Sequence, residues 1–168
     1  VSLARQEAKF LADATGTTPY EALMDKFEPG MRESAITKLF GDVKTWLPDL
    51  ITKAIAKQQT ETVVEAKGPF PVDQQRALGV EVMGLLGFDF EGGQLDISTH
   101  PFCGGVPQDV RITTRYKEAT FAPSLMGIIH ETGHARYEQR LPRDTVQLPV
   151  GRARSMGIHE RQSLSFEM

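Results

Sequence analysis

Cysteine is almost missing from this 168-residue chain: a single thiol, Cys103, excludes an internal disulfide and any zinc site built from several cysteines. No sign of charge dominates either. With 19 basic and 22 acidic side chains, for a net charge of −3, the chain has no basic footprint for nucleic acid, and no nucleic-acid partner is expected. Long apolar runs are absent, so no segment is expected to span a membrane. The opening Val1-Ser2-Leu3-Ala4-Arg5 lacks the charged-then-apolar pattern of a signal peptide. There is no internal repeat and no low-complexity stretch. Together these absences make a cytoplasmic protein the expectation.

What is present is ordinary for a globular protein: 40% hydrophobic and 24% charged residues, in a length suited to one domain with a real core. Apolar spacing predicts helices over residues 2–14, a short one from Pro19 through Phe27, and a long run from Met31 to Gln59 that Pro48 should kink or divide. Gly68-Pro69-Phe70-Pro71 reads as a loop before a helix from Val72 to Leu86, with Gly87–Gly93 as stop and turn. Between Gln94 and Tyr116 the period shifts to two, and Val110-Arg111-Ile112-Thr113-Thr114 is rich in β-branched residues. Two or three antiparallel strands are expected there, joined through Phe102–Pro107. Helical spacing returns over 120–140 and again over 154–168, with a proline-containing loop over 142–150. The expectation is a mainly α single domain with a small sheet, a helical part over 1–93 and a sheet-bearing part over 94–168.

The chemistry lies in His130-Glu131-Thr132-Gly133-His134, which reads His-Glu-x-x-His. Residues four apart lie one turn above each other on a helix, so both imidazoles can grip one cation while Glu131 reaches a water beside it. A catalytic zinc site needs a third protein ligand. Glu160, in a second His-Glu pair (His159-Glu160), lies 26 positions after His134, far enough for a loop and a returning helix. A solvated helix-face carboxylate is the competing reading of Glu160. Glu131 would then act as general base toward a scissile carbonyl. Asp109 and Glu138 are candidates to orient the ligating imidazoles from behind. Arg111 and Arg115 can bind a substrate carboxylate, or serve only as solvated strand arginines. Cys103, near His100, reads as a passive thiol.

With these residues placed, the chain resembles the carboxypeptidase Taq family, metallopeptidase family thirty-two. His100-Pro101-Phe102 matches that family's His-Pro-Phe signature, and Asp109-Val110-Arg111-Ile112-Thr113 its Asp-x-Arg-x-Thr. The zinc motif follows, and His159-Glu160-Arg161-Gln162 is similar to the family's His-Glu-(Ser or Gly)-Gln. The resemblance implies a helical zincin fold, a homodimer, one divalent ion (zinc, or cobalt in some members) and release of C-terminal residues from peptides. It also implies that His130, His134 and Glu160 are the ligands and Glu131 the base. His100, Asp109, Arg111 and His159 then belong to signatures that bind substrate or support the ligands. Family members are about three times longer, so the expected match is to a central segment. Two further family signatures, Ile-Arg-x-x-Ala-Asp and Gly-x-x-Gln-Asp-x-His-Trp, are not found in these 168 residues. Three arginines depart from the family pattern: Arg136 replaces an apolar residue, Arg140 a glycine, and Arg161 a serine or glycine. The departures keep open a catalytically impaired, truncated homologue with a binding or assembly role. A zincin endopeptidase stays open because metal chemistry alone does not separate internal from terminal cleavage.

Overall fold

The computed structural model describes residues 1–64 and 66–168 and divides them into two compact units, Val1–Glu65 and Ala66–Met168. The first is helical: α1 (Ser2–Thr15), α2 (Pro19–Met24) and α3 (Glu33–Gln58). Thr18 starts α2 with a capping box, its hydroxyl accepting from the Glu21 N–H while the Glu21 carboxylate accepts from the Thr18 N–H. The α1–α2 pair closes over Ala8, Ala12 and Ala22 and is tied by Lys26–Glu7 at 2.7 Å. Pro48 does not divide α3, which runs unbroken for 26 residues. That helix buries none of its residues, and Leu39, Phe40, Trp46, Leu50, Ile51 and Ile55 form a half-exposed apolar ridge.

The second unit holds α4 (Val72–Leu85), β1 (Gly93–Ile97), β2 (Phe102–Val106), β3 (Asp109–Thr114), α5 (Ala122–Gln139) and α6 (Met156–Glu167). The sheet order is β1-β3-β2. It corrects the antiparallel expectation: β2 and β3 are antiparallel, but β1 runs parallel to β3, with Leu95 opposite Ile112. The residues expected as a connector, 102–106, are themselves β2. Gly104 and Gly105 lower the strand signal of that segment. Gly105 sits at φ 107, where an added Cβ would run into the Asp109 carbonyl, so the tight β2–β3 hairpin requires it.

Strand β3 alternates cleanly. Val110, Ile112 and Thr114 face inward, and Arg111 faces solvent. The inward face meets Ile128 and Ala135 of α5, and Met83, Phe88 and Leu95 complete one core. Helix α5 is therefore held from several sides, by the sheet, α4 and α6. Two buried glutamines fasten the surrounding loops. Gln75 donates to the Phe70 and Lys117 carbonyls and accepts from Ser124. Gln139 accepts from the Asp89 N–H and donates to the Asp89 carbonyl, and to that of Gly92 at 3.3 Å. Among the described residues no helix is long and apolar enough to cross a membrane.

Candidate metal centre

Helix α5 begins with Pro123 in its first turn and carries His130 and His134 one turn apart. The two residues between Glu131 and His134 are chosen for packing. Thr132 is fully buried, and its hydroxyl donates to its own helix at the Ile128 carbonyl, 2.6 Å away. Gly133 meets α6 directly: a Cβ there would stand 2.5 Å from Ser163 Cα and 2.8 Å from the Gln162 carbonyl oxygen. This close approach brings the first turns of α6 against the histidines. Ser155 caps α6 by accepting from the Ile158 N–H at 3.1 Å.

His130, His134 and Glu160 converge, with one donor atom from each all within 4.8 Å of one another. Glu160 stands 3.6 Å from His130 Nε2 and 3.3 Å from His134 Nε2. Ligands 2.0–2.2 Å from a tetrahedral ion lie about 3.3–3.6 Å from each other, so Glu160 already stands at ligand spacing from both rings. Two imidazoles and a carboxylate are also the donor set of a hydrolytic zinc site. The residues present therefore fit a divalent ion.

Glu131 is buried beside this cluster, with only 9% of its surface exposed. Burial raises its pKa above the ordinary carboxylate value, and the charges of Glu160 and Glu167 add to the rise. His130 and His100 oppose it, which places His100 within electrostatic reach of Glu131. The His134 pKa is lowered, first by burial and then by His159 and His130. A lowered value keeps that ring neutral, the form in which it can donate a lone pair to a metal.

Glu138 is hydrogen-bonded at 2.8 Å to Nε2 of His159, rather than to one of the two candidate ligating rings. Asp109 instead grips Arg111 of its own strand through two hydrogen bonds of 2.6 and 2.7 Å. The two upstream signatures are joined to each other, since the Thr113 hydroxyl donates to the His100 carbonyl at 2.8 Å. Arg115 donates to the Thr99 carbonyl. Sequence reasoning missed Glu167, which lies 2.6 Å from His130 Nδ1. Its spacing offered a signal, because Glu160 and Glu167 are seven apart and share one face of α6. Of the three departing arginines, Arg136 donates to the Leu86 carbonyl, while Arg140 and Arg161 are exposed.

A helix-borne His-Glu-x-x-His, met by a carboxylate from the following helix and backed by a small sheet, defines the class as a metallopeptidase of the His-Glu-x-x-His type. Comparison with known proteins gives the family. The sequence profile of the carboxypeptidase Taq (M32) metallopeptidases matches residues 1–168, and the chain belongs to that family. It is 40% identical over 162 residues to thermostable carboxypeptidase 1 of Thermus thermophilus, covering 94% of this chain and 32% of the relative. Carboxypeptidase 1 of Bacillus subtilis is 40% identical over 153 residues, covering 89% of this chain and 30% of its own. Metallocarboxypeptidase 1 of Trypanosoma cruzi superposes with a TM-score of 0.92 at 51% identity, over 99% of this chain and 35% of that one. The chain thus spans about a third of the length of the curated relatives it matches. Membership in a metallopeptidase family implies a divalent metal ion.

Proposed function

We propose that this chain carries the ion-binding and general-base elements of a metallocarboxypeptidase that releases C-terminal residues from peptides, with zinc as the ion. The observation that carries the reading is the convergence of His130, His134 and Glu160 beside the buried Glu131. The names of the relatives, carboxypeptidases from Thermus thermophilus and Bacillus subtilis, support terminal over internal cleavage.

His130, His134 and Glu160 would hold the ion, which when bound supplies Lewis acidity toward the scissile carbonyl and makes water a nucleophile at neutral pH. Glu131 accepts the proton that water loses and delivers it to the departing amine. Its raised pKa suits both steps, because a carboxylate poised nearer neutrality is the better proton carrier. The burial of Glu131 keeps bulk water from it and strengthens its interactions with neighbouring charge. A homodimer is the proposed assembly, for which the ridge of α3 offers apolar surface, and light scattering measures it.

The test combines metal analysis with Glu131→Gln. The wild-type protein is expected to retain about one divalent ion and to cleave peptides with a free C-terminus, but not the same peptides amidated. Glu131→Gln should keep the ion and lose hydrolysis by at least about a hundredfold. Equal activity in the mutant, or no ion in the wild type, would end the reading. Cleavage of amidated peptides at an equal rate would make the protein an endopeptidase.

A further inference from the structure

The two ligating rings are held from behind in different ways. His130 Nδ1 meets a carboxylate directly, Glu167 Oε1 at 2.6 Å. His134 Nδ1 meets another imidazole, His159 Nδ1, also at 2.6 Å, and His159 Nε2 lies 2.8 Å from Glu138 Oε1. A second ring at this position is unusual in its demands, because only one proton fits between two nitrogens.

The proton positions force one another. His134 presents Nε2 toward Glu160, so that nitrogen must be bare to bind an ion and the ring proton must sit on Nδ1. His159 Nδ1 must then accept, which puts the His159 proton on Nε2. There it points at Glu138, a carboxylate that can only accept. The rings are also clamped. His159 packs 4.7 Å from His134 and meets Tyr137 edge to face at 5.0 Å and 87°, so it has little room to turn. Glu138 stands one turn after His134 on α5, and His159 reaches over from α6 to bridge that pair.

We propose that Glu138 and His159 form a two-membered positioning relay that fixes the His134 tautomer, with its Nε2 lone pair directed at the ion, while Glu167 does the same for His130 in one step. This rests on the metallopeptidase reading above. It makes His159 a positioning residue that neither binds the ion nor touches the reacting atoms.

Zinc affinity, measured by competition with a chromophoric chelator, is the primary test. His159→Phe keeps the ring volume but removes both nitrogens, and it should weaken zinc binding by about 10–100-fold. His159→Gln offers one acceptor and one donor and should recover most of that loss. Imidazole nitrogen NMR of the ion-free wild type supplies a measurement that needs no variant to fold: His134 should carry its proton on Nδ1 and His159 on Nε2. A His159→Phe protein that binds zinc within twofold of a zinc-binding wild type overturns the relay and leaves the metallopeptidase reading intact. So does a His134 proton found on Nε2. A wild type that takes up no zinc overturns both.

Discussion

Replacing Gly133 by alanine should damage the metal centre without touching a ligand. The added methyl would lie 2.5 Å from Ser163 Cα, 2.8 Å from the Gln162 carbonyl oxygen and 3.0 Å from the Ser163 nitrogen. Carbon atoms rest about 3.5–4.0 Å apart, and all three neighbours are backbone, so no side chain can swing aside. Helix α6 must therefore retreat by about 1 Å. Overpacking of this kind costs about 1–3 kcal/mol, while alanine's higher helix propensity returns up to about 1 kcal/mol. The net loss of about 1–2 kcal/mol should lower the melting temperature of the ion-free protein by several degrees. The effect on the site should be larger. Glu160 rides on α6, and a constellation of ligands tolerates about 0.5 Å of displacement, so zinc affinity should fall by about a hundredfold or more. Thermal unfolding in EDTA and chelator competition measure the two effects separately. Gly127→Ala is the control on the same helix: its methyl would meet nothing nearer than Pro101 Cγ at 3.7 Å, an ordinary contact, so stability should hold or rise. A Gly133→Ala protein with unchanged melting and zinc affinity within threefold of wild type would refute the claim that α6 is docked through this glycine.

Three other outcomes are expected. Gln139→Ala strips the Asp89 N–H and the Asp89 and Gly92 carbonyls of their partner, and chemical denaturation should show a loss of about 2–3 kcal/mol. Burial, with the charges of Glu131 and Glu138, pushes the Cys103 thiol up to about 12 from an ordinary 9.0. At pH 8 the folded protein then holds about a thousandfold less thiolate than the unfolded chain, so a thiol reagent should label Cys103 slowly until denaturant is added. Zinc at a hundredfold excess over its Kd should stabilise the protein by about 2.7 kcal/mol. That gain should survive Glu131→Gln, which spares the ligands, and vanish on Glu160→Gln or addition of EDTA, as followed by melting temperature.

The helices were legible because each carries a periodic apolar face or a clear stop, and the His-Glu-x-x-His motif needs only helical spacing to be read. The sheet was legible in part. Val110 to Thr114 alternates plainly, but Gly104 and Gly105 hide β2, and nothing local in Gly93–Ile97 tells whether β1 will pair parallel or antiparallel. That choice is made by tertiary packing, which sets Leu95 opposite Ile112 in the shared core, a contact between segments apart in sequence. The pairing of His134 with His159 was hidden for the same reason. It depends on how closely α6 can approach, and so on a glycine whose role appears only once two helices meet. Arg111 shows the converse: an arginine read either as a carboxylate binder or as a solvated strand residue has Asp109, two residues away, to hold.

The chain distance between the site's two halves carries a further consequence. His134 and Glu160 are 26 residues apart, and an ion held by both would close that stretch into a ring. By loop-closure arithmetic of the kind used for disulfides, a ring of this length removes about 3.5 kcal/mol of conformational entropy from the unfolded chain. The ion would then be a reversible cross-link as well as a reagent. Stripping it should loosen α6 and the 140–155 connection before the sheet and α5, so a protease acting on that connection would report how much of the ion is bound.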